Sequence, residues 1–122
     1  MTEQEIMDYA RAEFEWLHAH PELAYEEFET TARLRVAFGH AGIRILDVPL
    51  QTGLVAAIGT GAKPIVALRT DIDALPVHEE TRLPYASQYD GKMHACGHDF
   101  HMASVLAAAL LLKEREANLI GT

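Results

Sequence analysis

The sequence predicts an α/β fold, because helical and extended patterns alternate along its 122 residues. Apolar residues recur at helical spacing near both ends of the chain. Between these segments lie short apolar runs bounded by glycine or proline, which is typical of strands. Two helices, several strands and a further helix in this order indicate an α/β sandwich.

Two helices are predicted before the first strand. The first spans residues 2–18, where Thr2 and Glu5 fit a capping box. Pro21 follows as a stop signal, because the residue before a proline is disfavoured in helical conformation. The second helix is expected at about residues 25–38.

Three short apolar runs predict strands. They are residues 43–48, 54–58 and 64–68. The second run fits either a buried strand or one arm of a hairpin. The third leads directly into Asp71 and Asp73, and ligands bind at the carboxyl ends of strands in open α/β sheets.

The rest of the chain predicts an irregular segment and a third helix. Turn signals fill residues 76–92, and the helix is expected from His98 or Asp99 to about Glu114. Its predicted buried stripe is Val105, Leu106, Ala109 and Leu110. Residues 119–122 look like the start of a further strand, so we expect a piece of a longer domain.

Composition excludes several classes of partner. Eighteen acidic residues against ten basic ones give a formal charge of −8, which repels nucleic acid and anionic lipid. The longest apolar run, residues 103–112, is far shorter than the ~20 residues of a bilayer span. No secretory signal pattern opens the chain. We therefore expect a soluble cytoplasmic protein with no nucleic-acid or membrane partner.

The strongest chemical signal is residues 93–101, Met-His-Ala-Cys-Gly-His-Asp-Phe-His. Cys96 and His98 lie two residues apart, so both side chains can point at one ion in an extended segment or turn. Thiolate and imidazole suit borderline-soft divalent metals, but a catalytic centre needs at least three protein donors. Asp71 and Asp73 are the nearest carboxylates in sequence.

Each of these residues also has a purely structural interpretation. Cys96 fits a buried thiol, and Asp99 fits the N-cap of the third helix. Asp73 fits the opening of a turn, and His101 fits a surface position. The histidines within residues 18–20 flank a helix end, where imidazolium complements the helix dipole, so they need no functional role.

Three segments stand out together: residues 18–23 (His-Ala-His-Pro-Glu-Leu), 69–76 (Arg-Thr-Asp-Ile-Asp-Ala-Leu-Pro) and 93–99 (Met-His-Ala-Cys-Gly-His-Asp). In this order and spacing they resemble the amidohydrolase branch of the M20 metallopeptidases, which includes hippurate hydrolase, N-acetyldiaminopimelate deacetylase and the indole-acetyl-amino-acid hydrolases. The resemblance implies a three-layer α/β/α sandwich of zinc-exopeptidase type. It also implies that residues 1–122 are the N-terminal part of the catalytic domain, without the inserted dimerisation domain and the C-terminal half.

The resemblance implies metal-dependent hydrolysis of the amide bond of N-acyl amino acids, by attack of a water shared between two divalent ions. By position in the motifs, Cys96 and His98 are implied metal ligands. Asp71 matches a catalytic-site carboxylate that orients a ligand, and Arg69 stands where other branches carry a histidine ligand. Mn²⁺ or Zn²⁺ is expected, with Co²⁺ and Ni²⁺ also compatible. The resemblance further implies a homodimer.

The glutamate base and the remaining ligands of the family are expected beyond Thr122, so we predict that the chain alone is inactive. The glutamate pairs at residues 26–27 and 79–80 lack the expected strand-end context. Two alternatives stay open at this point. One is a hydrolase with Cys96 as nucleophile, activated by His94 or His98. The other is a non-catalytic truncated module that retains a partial metal site.

Overall fold

The computed structural model describes all 122 residues. Its elements are α1 (Glu3–Ala19), α2 (Phe28–His40), β1 (Arg44–Ile45), β2 (Ala56–Ala57), α3 (His98–Glu114) and a final 3-10 turn (Glu116–Asn118). Each helix begins and ends within three residues of its predicted bounds, and residues 76–92 form no helix or strand, as predicted. The combination of helices with a small sheet confirms the α/β class.

The first helix begins at the capping box that the sequence predicts. The Thr2 hydroxyl accepts the Glu5 N–H at 3.1 Å, and the Glu5 carboxylate accepts the Thr2 N–H at 2.6 Å. The Thr2 N–H also lowers the pKa of the Glu5 carboxyl, because it stabilises the ionised form. Reciprocal bonds of this kind satisfy two donors that a helix start would otherwise leave unpaired.

The second helix begins three residues later than predicted. Tyr25 has a φ of +66°, which is incompatible with a right-handed helix, so α2 starts at Phe28. Its first N–H groups are capped from a distance, since the Glu22 carboxylate accepts from Glu29 at 3.1 Å and from Thr30 at 2.6 Å. The residue at the N-cap position itself contributes no side-chain hydrogen bond.

Because Glu22 serves as the cap of α2, Glu22→Ala is expected to lower the free energy of unfolding by about 0.5–2 kcal/mol. Urea denaturation of both proteins measures the difference. Glu26→Ala is the matched control, because Glu26 is exposed and its side chain makes no hydrogen bond. Equal losses in the two variants would contradict the capping role.

The strand region forms a hairpin rather than three regular strands. Strands β1 and β2 pair antiparallel, with Arg44 opposite Ala57, which agrees with the hairpin interpretation of residues 54–58. The prediction of a regular strand at residues 64–68 is wrong. The Pro64 carbonyl accepts the Thr122 N–H, and the Val66 N–H donates to the Thr122 carbonyl, both at 2.9 Å. These two bonds have the slanted pattern of a parallel pair, but one bonded residue does not make a ladder.

The core lies between the helices, with α1 packed on α3. The main cluster contains Ile6, Ala10, Ala37, Phe38, Ile43, Leu106, Ala107 and Leu110. On α3, Leu106 and Leu110 are buried as predicted, whereas Val105 and Ala109 are only half-buried. The stripe is rotated toward Met102, because that side of α3 contacts the second cluster, which also holds Leu17 and Leu34.

One apolar face of the chain stays open. The side chains of Ile65, Val66 and Leu68 are exposed, and they border a groove of about 980 Å³ that β2 and α3 also line. None of the helices combines the length and the apolar character that crossing a bilayer requires.

Candidate functional site

The fold brings together the three motifs singled out in the sequence. The Ala74 N–H donates to the Glu22 carbonyl at 2.7 Å, which joins the first motif to the second. Leu75 and Met93 exchange two backbone hydrogen bonds of 2.9 and 3.0 Å, which join the second motif to the third. Residues that are far apart in sequence therefore meet at the start of α3.

His98, the first residue of α3, has one ring nitrogen fully engaged. Its Nδ1 lies 2.9 Å from the backbone carbonyl oxygen of Asp73 and 3.0 Å from the Asp73 carboxylate. Both partners are acceptors, so Nδ1 carries the hydrogen and donates it. In the neutral ring Nε2 therefore carries the free lone pair, and it lies 3.5 Å from Asp71 Oδ2.

Asp71 is held from the other side by Arg69. The Arg69 guanidinium donates to Asp71 Oδ1 at 2.5 Å, and Oδ2 is the oxygen that faces His98. The His98 ring is thus oriented by the hydrogen bonds that it donates to Asp73, while Asp71 faces Nε2. The interpretation of Asp73 as a simple turn residue does not account for this pair of contacts.

Cys96 presents an exposed thiol, which excludes its interpretation as a buried small hydrophobe. It lies just before α3, separated from His98 by Gly97 in a left-handed conformation with a φ of +92°. Glycine adopts this conformation at little cost, so the chain can turn sharply between the two residues. No hydrogen bond joins the thiol to His94 or His98, so the geometry gives no support to a cysteine–histidine nucleophile.

The interpretation of Asp99 as an N-cap is wrong. Gly97 occupies the N-cap position, and the Asp99 carboxylate is buried with Oδ2 only 2.7 Å from His18 Nδ1. The opposite nitrogen of His18 lies 2.9 Å from Glu79 Oε2. The assignment of His18 to a helix-dipole role alone is therefore also incomplete. No local pattern reveals these contacts, since 81 and 61 residues separate the partners.

His94 is buried, and neither of its ring nitrogens has a hydrogen-bond partner. Burial lowers the pKa of this imidazole, because desolvation disfavours the charged ring. His101 is exposed, which agrees with the surface position predicted for it.

The residues present fit part of a metal centre. Cys96 and His98 have suitable donor chemistry, and His98 has the fixed tautomer that a ligating histidine needs. No three His, Cys, Asp or Glu side chains of this chain converge closely enough to hold an ion. A site built from these residues would need further donors, since catalytic zinc centres use three.

The ion pairs of His18 predict how stability depends on pH. Burial lowers the His18 pKa, but hydrogen bonds to Glu79 and Asp99 outweigh it, so the pKa lies above 6.5. Burial likewise raises the Glu79 pKa, but hydrogen bonds from Thr81, His18 and Ser87 outweigh it, so the pKa lies below 4.5.

A raised histidine pKa stabilises the fold below pH 6.5, and this contribution is lost as the pH rises through the folded value. A lowered glutamate pKa stabilises above pH 4.5, and this contribution is lost as the pH falls. The difference in unfolding free energy between the wild type and His18→Gln is therefore expected to be largest between pH 4.5 and 6.5. The two proteins are compared because His94 is present in both. Its lowered pKa changes the unfolding free energy with pH in the opposite direction, and the comparison cancels this contribution. A difference that grows steadily from pH 6 to pH 9 would contradict the assignment.

The family match and the sequence relatives of this chain agree with one another. The sequence pattern of peptidase family M20/M25/M40 matches residues 67–122. The chain is 55% identical over 108 residues to N-acetylcysteine deacetylase of Bacillus subtilis (strain 168), covering 87% of this chain and 28% of that protein. It is 42% identical over 116 residues to IAA-amino acid hydrolase ILR1-like 5 of Arabidopsis thaliana, covering 89% of this chain and 27% of that protein. The chain thus spans little more than a quarter of the length of these relatives.

Solved structures agree with the sequence relatives. The crystal structure of the Bacillus subtilis YXEP protein, described as a dinuclear metal binding peptidase from the M20 family, superposes with a TM-score of 0.93 at 47% identity. That match covers 98% of this chain and 34% of the other. A putative aminohydrolase from methicillin resistant Staphylococcus aureus superposes with a TM-score of 0.82 at 32% identity, over 98% of this chain and 34% of the other. With the predicted fold and family both confirmed, the chain belongs to peptidase family M20/M25/M40.

Proposed function

We propose that residues 1–122 are the N-terminal part of the catalytic domain of a metal-dependent amidohydrolase that acts on N-acyl amino acids. The observation that carries the proposal is the pairing of His98 with Asp73, beside the exposed thiol of Cys96. The names of the relatives add support, because N-acetylcysteine and IAA-amino acids are both amino acids that carry an acyl group on nitrogen.

In this proposal Cys96 and His98 are metal ligands of a centre that holds two divalent ions, as the description of the YXEP structure suggests. Such ions supply a water of lowered pKa and polarise the amide carbonyl. Asp73 fixes the tautomer of His98, and Asp71 is the catalytic-site carboxylate that faces its ligating nitrogen. Thiolate and imidazole donors are compatible with Mn²⁺, Zn²⁺, Co²⁺ and Ni²⁺, so the identity of the metal stays a prediction.

The remaining expectations concern the whole protein. The open groove and the exposed side chains of residues 65–68 support further chain packed against this face. The inserted domain, the homodimer that it would form and a cytoplasmic location stay predictions from the family resemblance. No three His, Cys, Asp or Glu side chains converge on one ion, and a catalytic centre needs at least three donors, so we expect the 122-residue chain alone to hydrolyse no amide.

The test is hydrolysis of N-acetylcysteine and other N-acyl amino acids by a protein with the full length of the relatives. We expect a chelator to abolish the activity and added Mn²⁺ or Zn²⁺ to restore it. Inactivation by iodoacetamide without any effect of the chelator would instead favour Cys96 as a nucleophile. Absence of activity with every metal would favour the non-catalytic module.

Asp73→Ala is expected to weaken metal binding about 10–100-fold, because partners that orient a ligating histidine contribute affinities of this size. Titration of Zn²⁺ against a chromophoric chelator measures the change. Asp90→Ala is the matched control, since Asp90 also holds an imidazole nitrogen, that of His78 at 2.7 Å, but at an exposed position. Equal affinities in the wild type and Asp73→Ala would show that the carboxylate does not support a ligand.

A further inference from the structure

A buried histidine joins three parts of the chain beside the candidate site. His18 lies near the end of α1, Glu79 in the irregular segment 76–92, and Asp99 in the first turn of α3. Their side chains are 7%, 5% and 4% exposed. The His18 ring stands between the two carboxylates, 2.7 Å from Asp99 and 2.9 Å from Glu79.

The hydrogen-bond partners fix the protonation state of this ring. A neutral imidazole has one donor and one acceptor nitrogen, but His18 faces a carboxylate at both nitrogens. Glu79 is ionised in this arrangement, since it also accepts from the Thr81 hydroxyl and, at 2.7 Å, from the Ser87 N–H. With a carboxylate at each nitrogen, only an imidazolium can donate both hydrogen bonds. Burial lowers the pKa of His18, but the hydrogen bonds to Glu79 and Asp99 outweigh it and raise the pKa, which favours this charged form.

The other groups around His18 add no competing partner for its nitrogens. Tyr85 from the irregular segment packs edge-on at 5.5 Å between ring centres, and Phe14 from α1 lies at 6.2 Å. His94 is close enough to interact electrostatically with His18, but neither of its ring nitrogens has a hydrogen-bond partner. In such poorly solvated surroundings, a satisfied ion pair is strong and a broken one is costly.

The three-residue bridge acts on the segment that carries the candidate ligands. Asp99 directly follows His98, and its second oxygen accepts the Phe100 N–H at 2.9 Å. One carboxylate therefore ties the first turn of α3 to α1 through His18. The helix start has no side-chain cap of its own, so this tie supplies the constraint that a cap normally provides.

We propose that His18 is a positioning residue of the candidate metal site, joining Glu79 to Asp99 and thereby fixing the orientation of His98. The proposal rests on the proposed function of His98 as a ligand, and extends it to a residue two helices away in the chain. The His18 bridge sets where the first turn of α3 stands, and Asp73 then sets the ring of His98 within that turn.

The experiment compares the wild type with His18→Gln on the 122-residue chain. The first readout needs no metal: nitrogen-15 NMR of the imidazoles at fixed pH. In the wild type, His18 is expected to carry two N–H groups and His98 a hydrogen on Nδ1 alone. In His18→Gln, the His98 ring is expected to lose its single tautomer. His20→Gln is the matched control, because the ring contacts of His20 are with Trp16 and Tyr89 and its side-chain hydrogen bond is with the Trp16 carbonyl, none of which lies in α3.

The second readout is the binding of Co²⁺, whose visible spectrum reports ligand geometry. His18→Gln is expected to bind Co²⁺ at least about 10-fold more weakly and with an altered spectrum, as a lost supporting partner would cause. Glu79→Gln keeps the shape of the side chain and a hydrogen bond to His18 but removes one charge. Its loss of Co²⁺ affinity is expected to be smaller than that of His18→Gln.

The outcomes separate the two proposals. An unchanged His98 tautomer in a folded His18→Gln variant would overturn the positioning role, whatever the metal does. A changed His98 tautomer in His18→Gln, together with the same Co²⁺ affinity and spectrum as the wild type, would support the positioning role and contradict His98 as a ligand. If His18→Gln does not fold, an unchanged His98 tautomer in Glu79→Gln would overturn the proposal.

Discussion

Replacing Leu106 with alanine is expected to lower the free energy of unfolding by about 2–5 kcal/mol. Leu106 is 1% exposed and belongs to the cluster where α3 meets α1 and α2. Truncation leaves a cavity that the neighbouring side chains fill only in part, so both hydration and packing energy are lost. A domain of this size is stable by only about 5–15 kcal/mol, so much of the stability depends on this one side chain.

Leu112→Ala is the matched control for this prediction, because it makes the same chemical change on the same helix at a position that is 38% exposed. Its effect is expected to be below about 1 kcal/mol, as for most substitutions away from the core. Urea denaturation monitored by circular dichroism measures both variants. Similar losses at the two positions would contradict the assignment of the core to the Leu106 side of α3.

The parts of the fold that could be predicted are those whose signals are local. The capping box of Thr2 and Glu5 spans four residues, and it places the start of α1 correctly. The start of α2 is missed because its cap, Glu22, lies outside the helix and because Tyr25 adopts a left-handed conformation without being glycine. The strand predicted at residues 64–68 is absent for a different reason. A strand exists only through its partners, and a single residue bonds to this run.

In the candidate site, too, local features could be predicted, whereas contacts between distant residues could not. Residue chemistry and motif position select Cys96 and His98, while chemistry alone leaves the metal and the nucleophile interpretations both open. The sequence analysis names both Asp71 and Asp73 as nearby carboxylates. Only the fold shows that Asp73 is the one that accepts the hydrogen bond from the His98 ring. The sequence does not predict the contacts of His18 with Asp99 and Glu79, because the two carboxylates lie in distant segments and no pattern near His18 indicates them.

Cys96→Ser and His98→Ala are each expected to weaken Co²⁺ or Zn²⁺ binding by more than about 100-fold, which exceeds the loss expected for a supporting residue. Removing a donor leaves this chain with fewer than two strong ligands, and the remaining carboxylates do not converge on one ion. His101→Ala is the matched control, because His101 is an exposed imidazole on the same turn, with its ring 5.8 Å from that of His98.

The exposed thiol allows a second measurement of the same assignment without any enzymatic activity. In the proposed site a bound metal would hold Cys96 as a coordinated thiolate. Saturating Zn²⁺ is therefore expected to slow the alkylation of this exposed thiol by iodoacetamide in the wild type and in His101→Ala. In His98→Ala this protection is expected to disappear, because the thiol alone holds the ion poorly. Alkylation that Zn²⁺ leaves unchanged in the wild type would remove Cys96 from the ligand set. The exposed thiol would then need the nucleophile explanation, which the absence of a histidine hydrogen bond to its sulfur does not favour.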